Sequence, residues 1–207
     1  MGQVMESRTG ATLTYELNKD LQFSIEEQVR LKSYDDLFDE NIVELGARYD
    51  FLKVWKLGLG YRFFSSNDDT GDRQGIRIGN RLHYRLSYEL DFDRSEIELR
   101  GQFQHRKERD LDKNWSPWED QTMRYKIEFQ HDIRNWKLDP ELALEFFDED
   151  LGQGLAADDK FRAILGTTWR LPGPQALKFK LMYEFGVGVS EQIPTYIIAI
   201  NYTYDMD

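Results

Sequence analysis

Alternation of apolar and polar residues, sustained over unusually long stretches, is the property that most restricts how this chain can fold. From Trp55 the sequence W-K-L-G-L-G-Y-R-F places Trp55, Leu57, Leu59, Tyr61 and Phe63 on one face. Lys56, Gly58, Gly60 and Arg62 fall on the other. From Ile76 the pattern returns, with Ile76, Ile78, Leu82, Tyr84, Leu86, Tyr88 and Leu90 opposite Arg77, Gly79, Arg81, His83, Arg85, Ser87 and Glu89. A period of two marks β-strands with one apolar and one polar side. Eleven such segments can be read directly, most of them roughly 9–15 residues long. Strands of water-soluble proteins average about 5–6 residues, whereas a strand crossing a bilayer needs about 9–11.

The connections alternate as well. Short ones fall near residues 18–20, 50–53, 91–94, 132–135 and 171–175, and long ones at about 32–40, 65–74, 107–120, 148–159 and 188–194. Short turns at one end and long loops at the other are the pattern of an outer-membrane barrel. Trp55, Trp136 and Trp169 all lie beside short turns, where an interface girdle of amphipathic rings belongs. The fold class expected is therefore all-β, a transmembrane antiparallel up-and-down β-barrel. Such barrels usually have an even strand count, so the expected total is about twelve, with ten next and eleven as read. Residues 1–9 would supply a tail or a short extra strand, and residues 10–205 the single barrel domain.

The polar strand faces define a candidate lumen network. It comprises Arg30, Arg48, Arg62, Arg77, Arg81, Arg85, Arg100, Arg124, Arg162 and Arg170, set against Glu26, Glu44, Glu89, Glu98, Glu128, Glu145 and Glu184. Opposite charges on neighbouring strands can pair in a narrow interior where isolated charges would be costly. Glu27 and Asn80 break the pattern, falling on the apolar faces of their strands unless a bulge re-aims them.

Composition supplies exclusions. A formal charge of −11 argues against nucleic acid as a partner. The absence of cysteine removes disulfides, thiolate metal sites and cysteine nucleophiles. No apolar run reaches the roughly 18 residues of a membrane-spanning helix. The start, Met1-Gly2-Gln3-Val4-Met5, lacks the basic and apolar stretches of a signal peptide, so an exported protein would carry this as its mature chain.

No constellation assigns a catalytic, cofactor or metal site. The histidines read His83-Tyr84-Arg85, His105-Arg106-Lys107 and His131-Asp132-Ile133, and none has a serine two residues on. His83 and Ser87 share a face but stand about 13 Å apart along a strand, beyond the reach a nucleophile–base pair requires. The acidic clusters Asp35/Asp36/Asp39/Glu40 and Asp148/Glu149/Asp150 are the best candidates for divalent cations, though their reading as a solvated rim is simpler.

Read whole, residues 10–205 resemble a family of small bacterial outer-membrane barrels defined as a domain of unknown function. The resemblance rests on a Glu-Glu-x-x-Arg element (Glu26, Glu27, Arg30) and a Leu-Gly-x-Gly-Tyr-Arg element (Leu57, Gly58, Gly60, Tyr61, Arg62). An Arg-x-x-Tyr-Arg strand follows (Arg81, Tyr84, Arg85), and Asn201-Tyr202-Thr203-Tyr204 closes the chain. It implies fold and a bacterial outer-membrane location with surrounding lipid, and no activity. The function expected is a structural or interaction barrel filled by its Arg/Glu network. The alternatives are a narrow anion-preferring channel or uptake pore, a lipid-modifying enzyme, and a soluble lipocalin-like barrel with its faces inverted.

Overall fold

The computed structural model describes residues 4–32, 38–68, 74–109, 114–115, 120–149, 159–187 and 193–206. Among the described residues the alternating segments form eleven strands: β1 (Val4–Asn18), β2 (Leu21–Lys32), β3 (Glu40–Asp50), β4 (Trp55–Asp68), β5 (Gly75–Phe92), β6 (Ser95–Arg109), β7 (Asp120–His131), β8 (Leu138–Asp148), β9 (Lys160–Arg170), β10 (Gln175–Gly186) and β11 (Thr195–Met206). They run from 11 to 18 residues, as the alternation demands. Each pairs antiparallel with its neighbour in sequence, and β1 closes on β11.

The closure corrects one expectation. The barrel is complete with the eleven strands read directly, not twelve, and it is mixed, because β1 and β11 pair in parallel from Val4↔Thr195 to Tyr15↔Met206. Val4–Thr9 do not make an extra strand; they continue without a break into the rest of β1, pairing with β11 from Val4 and with β2 from Glu6. A parallel pair is slightly weaker per residue than an antiparallel one, but closing it leaves no open edge. Side chains reinforce the seam. Asn201 donates to Thr12 Oγ1 at 2.9 Å, and the Thr14 hydroxyl donates to Asp205. Gly10 makes the close approach possible, since a Cβ there would lie 2.6 Å from Asn201 Oδ1 and 2.9 Å from the Glu27 carbonyl oxygen. Gly10→Val is expected to lower stability by about 1–3 kcal/mol through this overpacking, measured by urea unfolding of the refolded barrel.

Loop segregation holds. Lys19-Asp20, residues 51–54, Asp93-Arg94, residues 132–137 and residues 171–174, two to six residues each, connect strands at one rim, while the strand ends at the other rim are separated in sequence by six to eleven residues. The tight rim is built from turn chemistry: Asn18 Oδ1 accepts from the Asp20 N–H at 3.0 Å, and Asp93, Asn135 and Gly173 take positive φ. Odd-numbered residues along most strands point outward. The outer surface is correspondingly apolar and exposed, with Leu142, Leu144, Leu165 and Leu181 each more than half accessible. Glu27 keeps its regular pairing between Ala11 and Val43 and remains exposed on that outer face, so no bulge turns it inward. Asn80 likewise faces outward, opposite Phe63 and Lys107.

Candidate functional site

Inside the barrel the candidate network resolves into ion pairs, two aromatic platforms and two cavities. Register places Glu44 directly opposite Arg62, and their side chains meet at 2.6 Å, with His83 Nε2 3.5 Å from the same carboxylate. His83 fits because the residue beside it on β4 is Gly60; a Cβ there would sit 2.2 Å from the imidazole. On the other wall Glu145, only 4% exposed, is shared by Arg124 at 2.5 Å and Arg162 at 3.2 Å. Arg162 also pairs with Glu184. These two groups form a waist.

Above the waist, towards the long-loop rim, lies a cavity of about 1030 Å³ lined among others by Arg8, Arg30, Arg81, Arg106, Arg124 and Arg162. Among the described residues its walls carry eight cationic side chains against five carboxylates. Below it lies a second cavity of about 440 Å³, where seven cationic side chains meet seven carboxylates. The interior thus retains space both above and below these ion pairs.

The remaining expected residues fall around this arrangement. Arg30 pairs with Glu40 at 2.8 Å in the upper half. Arg85 donates to Gln102 at 3.3 Å, Glu98 accepts from Ser87 at 2.6 Å, Glu89 pairs with Lys56, and Glu128 with Lys126, all around the lower cavity. Glu26 and Arg100 line that cavity too. Arg77 with Asp68, Arg48 with Asp50 and Arg170 with Asp139 stand at the rims rather than at the waist. Trp55, Trp136 and Trp169 gather at the short-turn rim, where Trp55 packs against Tyr88 with ring centroids 4.8 Å apart.

Sequence reading missed several members. Glu6 and Arg8 belong to the interior because β1 begins earlier than expected. Phe64 and Phe147, the second members of two Phe-Phe pairs, point inward and are buried. Arg106 lies 4.8 Å and Arg81 6.0 Å from the Phe64 ring, while Arg124 and Arg162 each lie 4.6 Å from the Phe147 ring. The doubled phenylalanines were the available signal, since the second one breaks the alternation. Ser95 Oγ and His131 Nδ1, on adjacent strands at the short-turn rim, are 2.8 Å apart. A hydroxyl beside an imidazole is the start of a nucleophile–base pair, but among the described residues no carboxylate is hydrogen-bonded to that ring.

Of the acidic-loop cation candidates, Asp39 pairs with Lys32, Glu40 with Arg30 and Glu149 with Lys160. Asp35, Asp36 and Asp150 lie outside the described residues. Among the described residues no three acidic or histidine side chains cluster to hold a metal.

Fold and interior together define a class: a closed β-barrel turned inside out, with its charges in the lumen and its apolar surface outward. Within that class, the chain belongs to the protein family of unknown function designated DUF2490, whose family model matches residues 9–190. No curated protein matches the chain.

Proposed function

We propose that the protein is a bacterial outer-membrane barrel, embedded in lipid, that serves as a structural or interaction element with a closed waist rather than as an open pore. The observation that carries this reading is the pairing of Arg62 with Glu44 on one wall and of Arg124 and Arg162 with Glu145 on the other, between two separate cavities. Each long side chain is held by a partner, and buried charges so paired resist being drawn apart. Membrane residence is supported by the exposed apolar face, the strand lengths and the tryptophans at one rim. A water-soluble barrel would have to leave that face hydrated.

A second reading, an anion-preferring channel, is favoured by the cationic excess of the upper cavity. Two measurements separate the readings. Refolded protein is expected to float with phosphatidylcholine vesicles and to resist proteinase K along its strands; a stable monomer without detergent would defeat membrane residence. In planar bilayers the inserted native barrel is expected to give no steady single-channel steps, whereas regular anion-selective steps would replace the closed-waist reading with the channel.

A further inference from the structure

We propose that the upper cavity is a binding site for a small polyanion carrying phosphoryl or carboxylate groups, anchored by Arg81. The inference rests on the proposed reading of that cavity as a vestibule above a closed waist. Register sets Arg62, Arg81 and Arg106 directly opposite one another on β4, β5 and β6, a row of three guanidinium groups on the inner face. Like charges placed opposite each other across strands oppose folding, and a buried charge without a counter-ion opposes it further. Two of the three have carboxylates: Arg62 pairs with Glu44 and Arg106 with Glu108. Arg81 has none within ion-pair distance among the described residues. Its two cross-strand neighbours, Arg62 and Arg106, are both cationic.

Arg81 and Arg106 share the Phe64 ring, at 6.0 Å and 4.8 Å from its centroid, and the chain makes special room for that ring. Phe64 lies across Gly79, where a Cβ would come within 2.1 Å of it. A guanidinium resting on an aromatic face is stabilised without using up its N–H donors. Those donors form a planar fork matched to phosphate and carboxylate oxygens. The facing wall repeats the device, with Arg124, Arg162 and Lys160 around Phe147. A cavity of about 1030 Å³ with two arginine-bearing phenylalanine platforms and an excess of positive charge is completed electrostatically by an anion with more than one charged group.

The test uses the full refolded barrel in zwitterionic detergent at constant ionic strength, with pyrophosphate and citrate as the phosphoryl and carboxylate probes. Calorimetric titration is expected to give saturable binding of at least one probe, and the probe bound identifies the preferred group. Arg81→Gln is expected to weaken that binding about ten- to hundredfold, the loss of a charge-assisted hydrogen-bonding group. Without anion, the same variant is expected to unfold at a temperature equal to or above the native one, because a repelled charge has been removed. Arg134→Gln, in the exposed turn at the opposite rim, should bind as the native barrel does. The proposal is overturned if neither probe binds, if Arg81→Gln binds unchanged, or if that variant is less stable without anion. Failure here with vesicle insertion intact removes only this site; failure of insertion removes the membrane reading whatever the titration gives.

Discussion

Leu165→Arg is expected to destabilise the barrel by about 2–4 kcal/mol when folding is measured by reversible urea titration into phospholipid vesicles. Leu165 lies midway along β9, between Leu142 and Leu181 on the neighbouring strands, and is 53% exposed on the outer face. In a water-soluble protein an exposed leucine is an indifferent position, and its replacement changes stability by no more than about 0.5 kcal/mol. In a bilayer the same exposure means contact with hydrocarbon, and a guanidinium at mid-height must be dragged towards the interface or leave lipid disordered around it. Leu52→Arg provides the internal control. Leu52 is as exposed as Leu165 but sits in the short turn after β3, where the cost should fall to about 0–1 kcal/mol. Equal, small effects at both positions would argue for a protein surrounded by water.

The second large effect is expected at the waist. Glu145→Ala removes the carboxylate that Arg124 and Arg162 share deep inside the barrel. Arg162 retains Glu184, but Arg124 is left with the Phe147 ring and no carboxylate among the described residues. Breaking a buried pair from one side strands the other charge, and the loss is expected at about 3–5 kcal/mol by urea unfolding. The double variant Glu145→Ala/Arg124→Ala should recover part of it, since no orphaned guanidinium remains. The single variant should also convert a silent barrel into one giving anion-preferring steps in planar bilayers, because the wall opposite Arg62 has lost its brace. An unfolding midpoint unchanged from the native one would show that the waist carries little of the barrel's stability.

Much of this architecture could be read in the sequence because strand periodicity is set by backbone geometry alone. Once Leu57 and Leu59 were assigned to one face, Arg62 had to lie on the other. Partner choice was not legible, because it depends on register between strands. Glu44 meets Arg62 head-on, but Glu145 reaches Arg124 diagonally, since Arg124 stands opposite Phe147. The Ser95–His131 contact was hidden for the same reason: the two residues are 36 positions apart and adjacent only through the β6–β7 register. The beginning of β1 was obscure on different grounds. Its outward residues there include Ser7 and Thr9, which are too polar to signal an exposed face. Strand parity could not be derived at all, because the preference for even numbers is a regularity of known barrels and no energy term forbids a parallel seam.

That seam has a consequence for how the molecule is assembled. Every other strand pair joins neighbours in the chain across a single turn or loop, but Val4 must find Thr195. Contacts between such distant residues require the largest loss of chain freedom and form late. The sheet should therefore grow as a curling ribbon with β1 and β11 as its two raw edges, each bearing an unsatisfied row of amide and carbonyl groups. Until those edges zip together the ribbon is open to pairing with any other strand it meets, so the last step of folding is also the one most in need of supervision by the cell.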